Sequence, residues 1–172
     1  MKRYIWLLLL AVPVLFVMGC GGGSHDRIDI SRSGTLTTSD ILLADDSRAD
    51  LVRVRATRDG FIYVSMTSST TNVVDPYIQV FEGAAYDFED LQYLFNTGRL
   101  VDSDDDSGPG LNAELVFRAD DDQVYTIVLT TSSGNDYGSY RYTIREVDDD
   151  EVIVGSAEAS DKTTSAEVKF NK

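Results

Sequence analysis

The strongest constraint on the fold is a period of two. From Ser33 to Val147, short runs alternate apolar with polar residues, and turn-forming residues separate the runs. A pleated strand sends successive side chains to opposite faces, so each run offers one face to a core and one to water. In Leu51-Val52-Arg53-Val54-Arg55, Val52 and Val54 share one face and the two arginines the other. The run 61–66 follows directly after Asp59-Gly60, a tight-turn signal, and the two runs are expected to pair as a hairpin. Further strands are expected at 77–81, 100–103, 113–118, 124–130 and 139–145. In the last of these, Tyr140, Tyr142 and Ile144 alternate with Arg141, Thr143 and Arg145. Seven or eight short strands without a long helix predict an all-β chain, folded as a β-sandwich whose two sheets bury facing apolar rows.

One stretch breaks this period. In 86–95, Phe88, Leu91, Leu94 and Phe95 recur at helical spacing behind Asp87, Glu89 and Asp90. Acidic residues suit a helix start, so a short helix or ordered loop is expected. Its apolar stripe fits either a partner-binding face or a cap on the sandwich, and the cap is the preferred reading.

The first 19 residues have a different character. Lys2 and Arg3 precede an apolar run, 4–18, that ends in Gly19 and Cys20. Fifteen residues fall short of the roughly 20 that cross a bilayer as a helix, and the layout is that of a cleavable export signal. Val17-Met18-Gly19-Cys20 resembles the lipobox of bacterial lipoproteins. That resemblance implies a diacylglyceryl group and fatty acyl chains such as palmitate on Cys20. Gly21, Gly22, Gly23 and Ser24 supply a flexible tether behind such an anchor. Gly21 is not the aspartate associated with inner-membrane retention, so in a Gram-negative host the outer membrane is the expected destination. The expected divisions are a signal peptide at 1–19, the lipidated cysteine and tether at 20–32, the sandwich at 33–147, and an acidic and polar tail at 148–172. Within the tail, 166–170 reads either as an extra edge strand or as a frayed end.

Composition removes several functions. Without Lys2 and Arg3, 13 of the 15 basic residues remain against 29 acidic ones, a formal charge of −16. Nucleic acid needs clustered Lys and Arg and is excluded as a partner. Cys20 is the only cysteine, so neither an internal disulfide nor a cysteine-based zinc cluster can form. His25, the only histidine, lies in the tether, which excludes a Ser-His-Asp triad or a His-based zinc site within the domain. Lys162, Lys169 and Lys172, the only lysines after the signal, lie in the tail, against a Ser-Lys dyad.

Five blocks in succession carry a family resemblance: Asp75-Pro76-Tyr77-Ile78-Gln79-Val80-Phe81, Asp102-Ser103-Asp104-Asp105-Asp106-Ser107-Gly108, Leu111-Asn112-Ala113, Val124-Tyr125-Thr126-Ile127-Val128, and Gly138-Ser139-Tyr140-Arg141-Tyr142-Thr143-Ile144. In that order, across about 34–147, they resemble the bacterial pre-peptidase C-terminal domain. The resemblance implies a non-catalytic β-sandwich of jelly-roll type, a module usually found beside a secreted protease and related to calcium- and collagen-binding modules. This chain departs from it in having no protease attached and in the insertion 82–95.

Asp102, Asp104 and Asp106 recur at every second position, so an extended backbone would send their carboxylates to one side. Asp-x-Asp-x-Asp before a glycine is a recurring calcium loop. Gly108 and Glu114 each fall one position late for an EF-hand. A calcium loop of another kind, completed by Asp75, Asp105 or Asn112, and a solvated acidic turn fit these residues equally. The runs 120–122 and 148–150 lack this spacing and read as polar turns. The leading expectation is a non-catalytic, lipid-anchored envelope module that binds a protein or polysaccharide, stabilised by calcium if the loop is a site. The alternatives are a carboxylate-dependent hydrolase, to be recognised by acidic residues converging in one pocket, and a structural surface-coat component.

Overall fold

The computed structural model describes residues 26–69, 74–134 and 136–149. Nine strands and one helix follow in order: β1 (Asp29–Leu36), β2 (Ile41–Leu42), β3 (Arg48–Arg55), β4 (Gly60–Ser68), β5 (Pro76–Glu82), α1 (Phe88–Asn96), β6 (Leu100–Asp104), β7 (Ala113–Ala119), β8 (Val124–Thr131) and β9 (Gly138–Val147). They form two antiparallel sheets, one ordered β1-β9-β4-β7 and the other β2-β3-β8-β5-β6. The fold is the expected β-sandwich with one short helix. Cys20, the leader and most of the tail, including 166–170, lie outside the described residues.

The period of two builds the core. Val54, Ile62, Val64, Ile78, Ile127 and Ile144 meet between the sheets, each almost without solvent contact. Phe117 meets Tyr125 edge to face across the same space, with ring centroids 5.0 Å apart. Burying each such aliphatic side chain stabilises the fold by about 1.5–3 kcal/mol.

The expected hairpin of 51–55 with 61–66 does not form. β3 pairs with β2 and β8, whereas β4 pairs with β7 and β9. The intervening backbone is claimed by other loops: Ala56 N donates to Gln123 O at 2.9 Å, and Thr57 N donates to the Glu146 carboxylate at 2.7 Å. Asp59-Gly60 therefore ends a crossing between sheets, and the apolar faces of the two strands oppose each other across the core. Only the connections β2–β3 and β5–β6 stay within one sheet.

The beginning of the domain also lies earlier than expected. β1 starts at Asp29 and runs opposite β9 from Arg145 to Gly138, so 29–32 are strand rather than tether. Alternation is weak in β1, an edge strand whose side chains remain mostly exposed, which explains why the sequence pattern did not mark it.

The helix is a cap, as preferred. Asp87 is its N-cap and accepts from Asp90 N at 2.9 Å, while Asp90 accepts from Tyr86 N at 3.0 Å. Such reciprocal bonds occupy amide donors that a helix start leaves unpaired. At the other end Gly98 takes φ +70°, a left-handed conformation suited to glycine, and Arg99 N returns to Leu94 O at 2.9 Å. Leu91 and Leu94 pack on Phe81, Val128, Ala49 and Ala85, a second apolar cluster on the outer face of the five-stranded sheet. β8 is therefore buried along nearly its whole length.

Candidate functional site

The chain enters and leaves the sandwich at one end. Glu146 N donates to Ile28 O at 3.0 Å, and Asp148 takes Arg27 and Arg58 together. These two guanidinium groups lower the Asp148 carboxyl to about 2, since each favours its charged form. Eight residues of β1, roughly 25 Å at 3.3 Å per residue, separate this end from Leu36, opposite Gly138. The acidic loop between β6 and β7 and the loop between β8 and β9 lie at that far end, whereas the acidic turn 120–122 lies at the entry end beside Asp59.

The sequence-predicted acidic residues are placed there but do not converge. Asp104 sits opposite Ile78 at the end of β6 and accepts from Glu114 N at 2.8 Å, from Ser107 N at 3.1 Å and from the Ser107 hydroxyl. It thereby ties β6 to β7 across the sandwich edge and closes the loop between them. Asn112 completes that closure, accepting from Ser68 N at 3.1 Å and donating to Pro109 O at 2.6 Å. Asp102 accepts from its neighbour Ser103 N at 2.9 Å, and its carboxyl is raised by partial desolvation and by the charge of Asp104. Asp105 and Asp106 lie on the exposed turn. Asp75 faces the other way, accepting from the Ser132 hydroxyl beyond β8, while Asp75 O accepts from Ser132 N at 2.9 Å. Among the described residues, no three His, Cys, Asp or Glu side chains are placed to hold a metal ion. Asp102 and Asp104 accept from the amides of Ser103, Ser107 and Glu114 and from the Ser107 hydroxyl.

The acidic run 120–122 behaves as a turn. Asp122 takes φ +60° and pairs with Arg55 at 3.1 Å, and Asp121 N donates to Asp59 at 2.8 Å.

A feature the sequence reading missed lies beside Asn112. Ser33, Gly34, Thr35, Ser68, Ser69, Ser139 and Arg141 line an open groove enclosing about 680 Å³ on the β1-β9-β4 side of the sandwich. No carboxylate is among these lining residues. Thr35 and Ser139 hydroxyls lie 3.1 Å apart, and Arg141 is exposed. Behind Gly34 lies the Tyr140 ring: a Cβ on Gly34 would meet Tyr140 atoms at 2.4 Å. Tyr140 is buried and donates its hydroxyl to Asp50 of the opposite sheet at 2.5 Å. Burial and the Asp50 charge push the Tyr140 hydroxyl far above its usual range. Desolvation likewise raises Asp50, against the Tyr140 hydrogen bond. The alternation in 139–145 marked Ser139 and Arg141 as outward-facing, but nothing local placed Ser33 and Ser68 beside them.

No family model and no curated protein matches the chain. Among solved structures it is similar to the pre-peptidase C-terminal domain of a collagenase from Bacillus anthracis. Identity is 14%, with 68% of this chain and 89% of that domain covered and a TM-score of 0.45.

Proposed function

We propose that the protein is a non-catalytic accessory module of the bacterial cell envelope, held to a membrane by lipid on Cys20 and presenting its far end to a binding partner. The observation that carries this reading is the polarity of the sandwich. The chain enters at Asp29, beside the end of β9, while the loop between β6 and β7 and the hydroxyl-lined groove lie toward the opposite end. A lipid on Cys20, nine residues before β1, leaves those features directed away from the bilayer. The leader with its terminal cysteine supplies the anchor, and in a host with an outer membrane that membrane is the destination. Among the described residues no helix is long and apolar enough to cross a membrane.

Carboxylate-dependent hydrolysis is disfavoured by the same geometry. Such chemistry needs two carboxylates facing one substrate across a cleft, whereas the groove is lined by hydroxyls and one arginine. The acidic residues are instead distributed over turns, where Asp104 closes its own loop.

The test is mass spectrometry on protein extracted from the membranes of expressing cells, together with fractionation of a Cys20→Ser variant. A mature chain beginning at a diacylglyceryl-modified Cys20, and loss of that modification in the variant, are expected. An intact leader or an unmodified sulfur would refute the anchor.

A further inference from the structure

We infer that the groove between β1, β9 and the end of β4 is a binding site for a saccharide unit carrying a single carboxylate, with Arg141 as its anion-binding group. The inference deepens the binding-module reading above and does not depend on the lipid anchor. Its volume of about 680 Å³ lies within the roughly 300–1,000 Å³ typical of small-molecule sites.

The lining chemistry selects the ligand class. Ser33, Thr35, Ser69 and Ser139 carry hydroxyls able to donate and accept, which matches a ligand whose own groups do both. Apolar side chains are absent from these lining residues, against a lipid or an aliphatic peptide. Arg141 is the one charged group in the lining, and among the described residues no carboxylate pairs with it, although the chain carries 29 acidic residues. A planar guanidinium binds a carboxylate through two parallel hydrogen bonds.

Net charge limits the ligand further. A protein this acidic repels polyanions at long range, so a repeating polyuronate or a nucleic acid is disfavoured, and one carboxylate among neutral hydroxyls is favoured. The backing of the site is fixed: Gly34 lies against the Tyr140 ring, and Tyr140 is tied to Asp50. The groove therefore rests on two adjacent ladders, β1 with β9 and β9 with β4, and needs little ordering on binding.

The test is amide NMR on the full chain in a neutral detergent, titrated separately with methyl glucuronide, methyl glucoside and inorganic phosphate. The two sugars differ in the carboxylate alone, and phosphate is an anion without the sugar hydroxyls. Methyl glucuronide is expected to give saturable shifts at residues 33–35, 68–69 and 139–141. Methyl glucoside should bind at least ~10-fold more weakly, as expected for losing a charge-assisted pair, and phosphate more weakly than the glucuronide. Arg141→Ala and Arg141→Gln should abolish the response with unchanged melting temperature, whereas Arg32→Ala, on the neighbouring strand β1 and outside the lining, should retain it. No saturable shift with the glucuronide, equal shifts from both sugars, a phosphate response as strong as the sugar acid, or a response surviving in both Arg141 variants would each overturn the assignment. The Cys20 experiment is independent, so a failed anchor and a failed sugar site are separately visible.

Discussion

The two sheets of the sandwich share one core but differ on their outer faces. The β2-β3-β8-β5-β6 sheet is covered by α1, and its outward residues Phe81 and Val128 are as inaccessible as those between the sheets. Among the described residues nothing covers the β1-β9-β4-β7 sheet in this way, and its outward residues Ser31, Ser33, Ser139 and Arg141 are exposed. Even its apolar outward residue, Val116, is 37% accessible. Where an excursion between two strands is long enough to fold back as a helix, the sheet becomes a three-layer element and its central strand is buried on both faces. On the bare side, polar side chains satisfy water and remain free to recognise something else. Burial is concentrated on the first side, and the proposed binding groove lies on the second.

The largest effects should come from the covered face. Phe81→Ala removes a ring with no solvent contact and should cost about 3–5 kcal/mol in urea unfolding. Val116→Ala on the bare face should cost less than about 1 kcal/mol. Comparable losses at the two positions would break the contrast. Next, Gly34→Ala drives a methyl into the Tyr140 ring and should cost about 1–3 kcal/mol, with the Tyr140 side-chain NMR signals displaced. Unchanged signals would contradict the close approach.

A smaller effect is expected at the helix start. Asp87→Ala removes the cap and should destabilise by about 1 kcal/mol, whereas Asp105→Ala on its exposed turn should change little. Equal effects would mean that the cap on the covered sheet is not held by its N-terminus.

Two carboxylates should then separate by the sign of their pH dependence. The Asp50 carboxyl is raised in the folded protein, so its contribution to stability is present below the unfolded carboxylate range and lost as pH rises through the raised value. Asp148 is lowered to about 2, so its contribution is present above the unfolded value and lost as pH falls toward 2. In urea midpoints measured from pH 2 to 7, Asp50→Asn should remove the first slope and Asp148→Asn the second. Identical profiles in both variants would show that neither group titrates as the structure places it.

How far the chain could be read differs by element. The strands from 77 onward were legible because in-out alternation is a local property, and β9 keeps it throughout, with Tyr140, Tyr142 and Ile144 inward. The helix was legible from the spacing of Leu91 and Leu94 behind acidic residues. β1 was not, because an edge strand with both sides largely wet leaves no period to detect. The spacing of Asp102, Asp104 and Asp106 was legible, but by itself it suggests an extended run through Asp106. Asp104 ends β6, and its hydrogen bonds to Ser107 and Glu114 instead bend the chain into a closed loop.

By itself, the sequence determined that this is a strand-built sandwich with one helical cap, that cysteine and histidine chemistry is absent from its domain, and that its surface is acidic. These follow from residue identity and from patterns a few residues long, where the pleat and the helix turn impose their own periods. Tertiary structure alone decided that β3 and β4 face each other rather than pair, that Asp104 closes a loop, and that Ser33, Ser68 and Arg141 share one groove. Each of these depends on which distant backbone groups claim one another's hydrogen bonds, and that choice is made by the whole set of ladders at once.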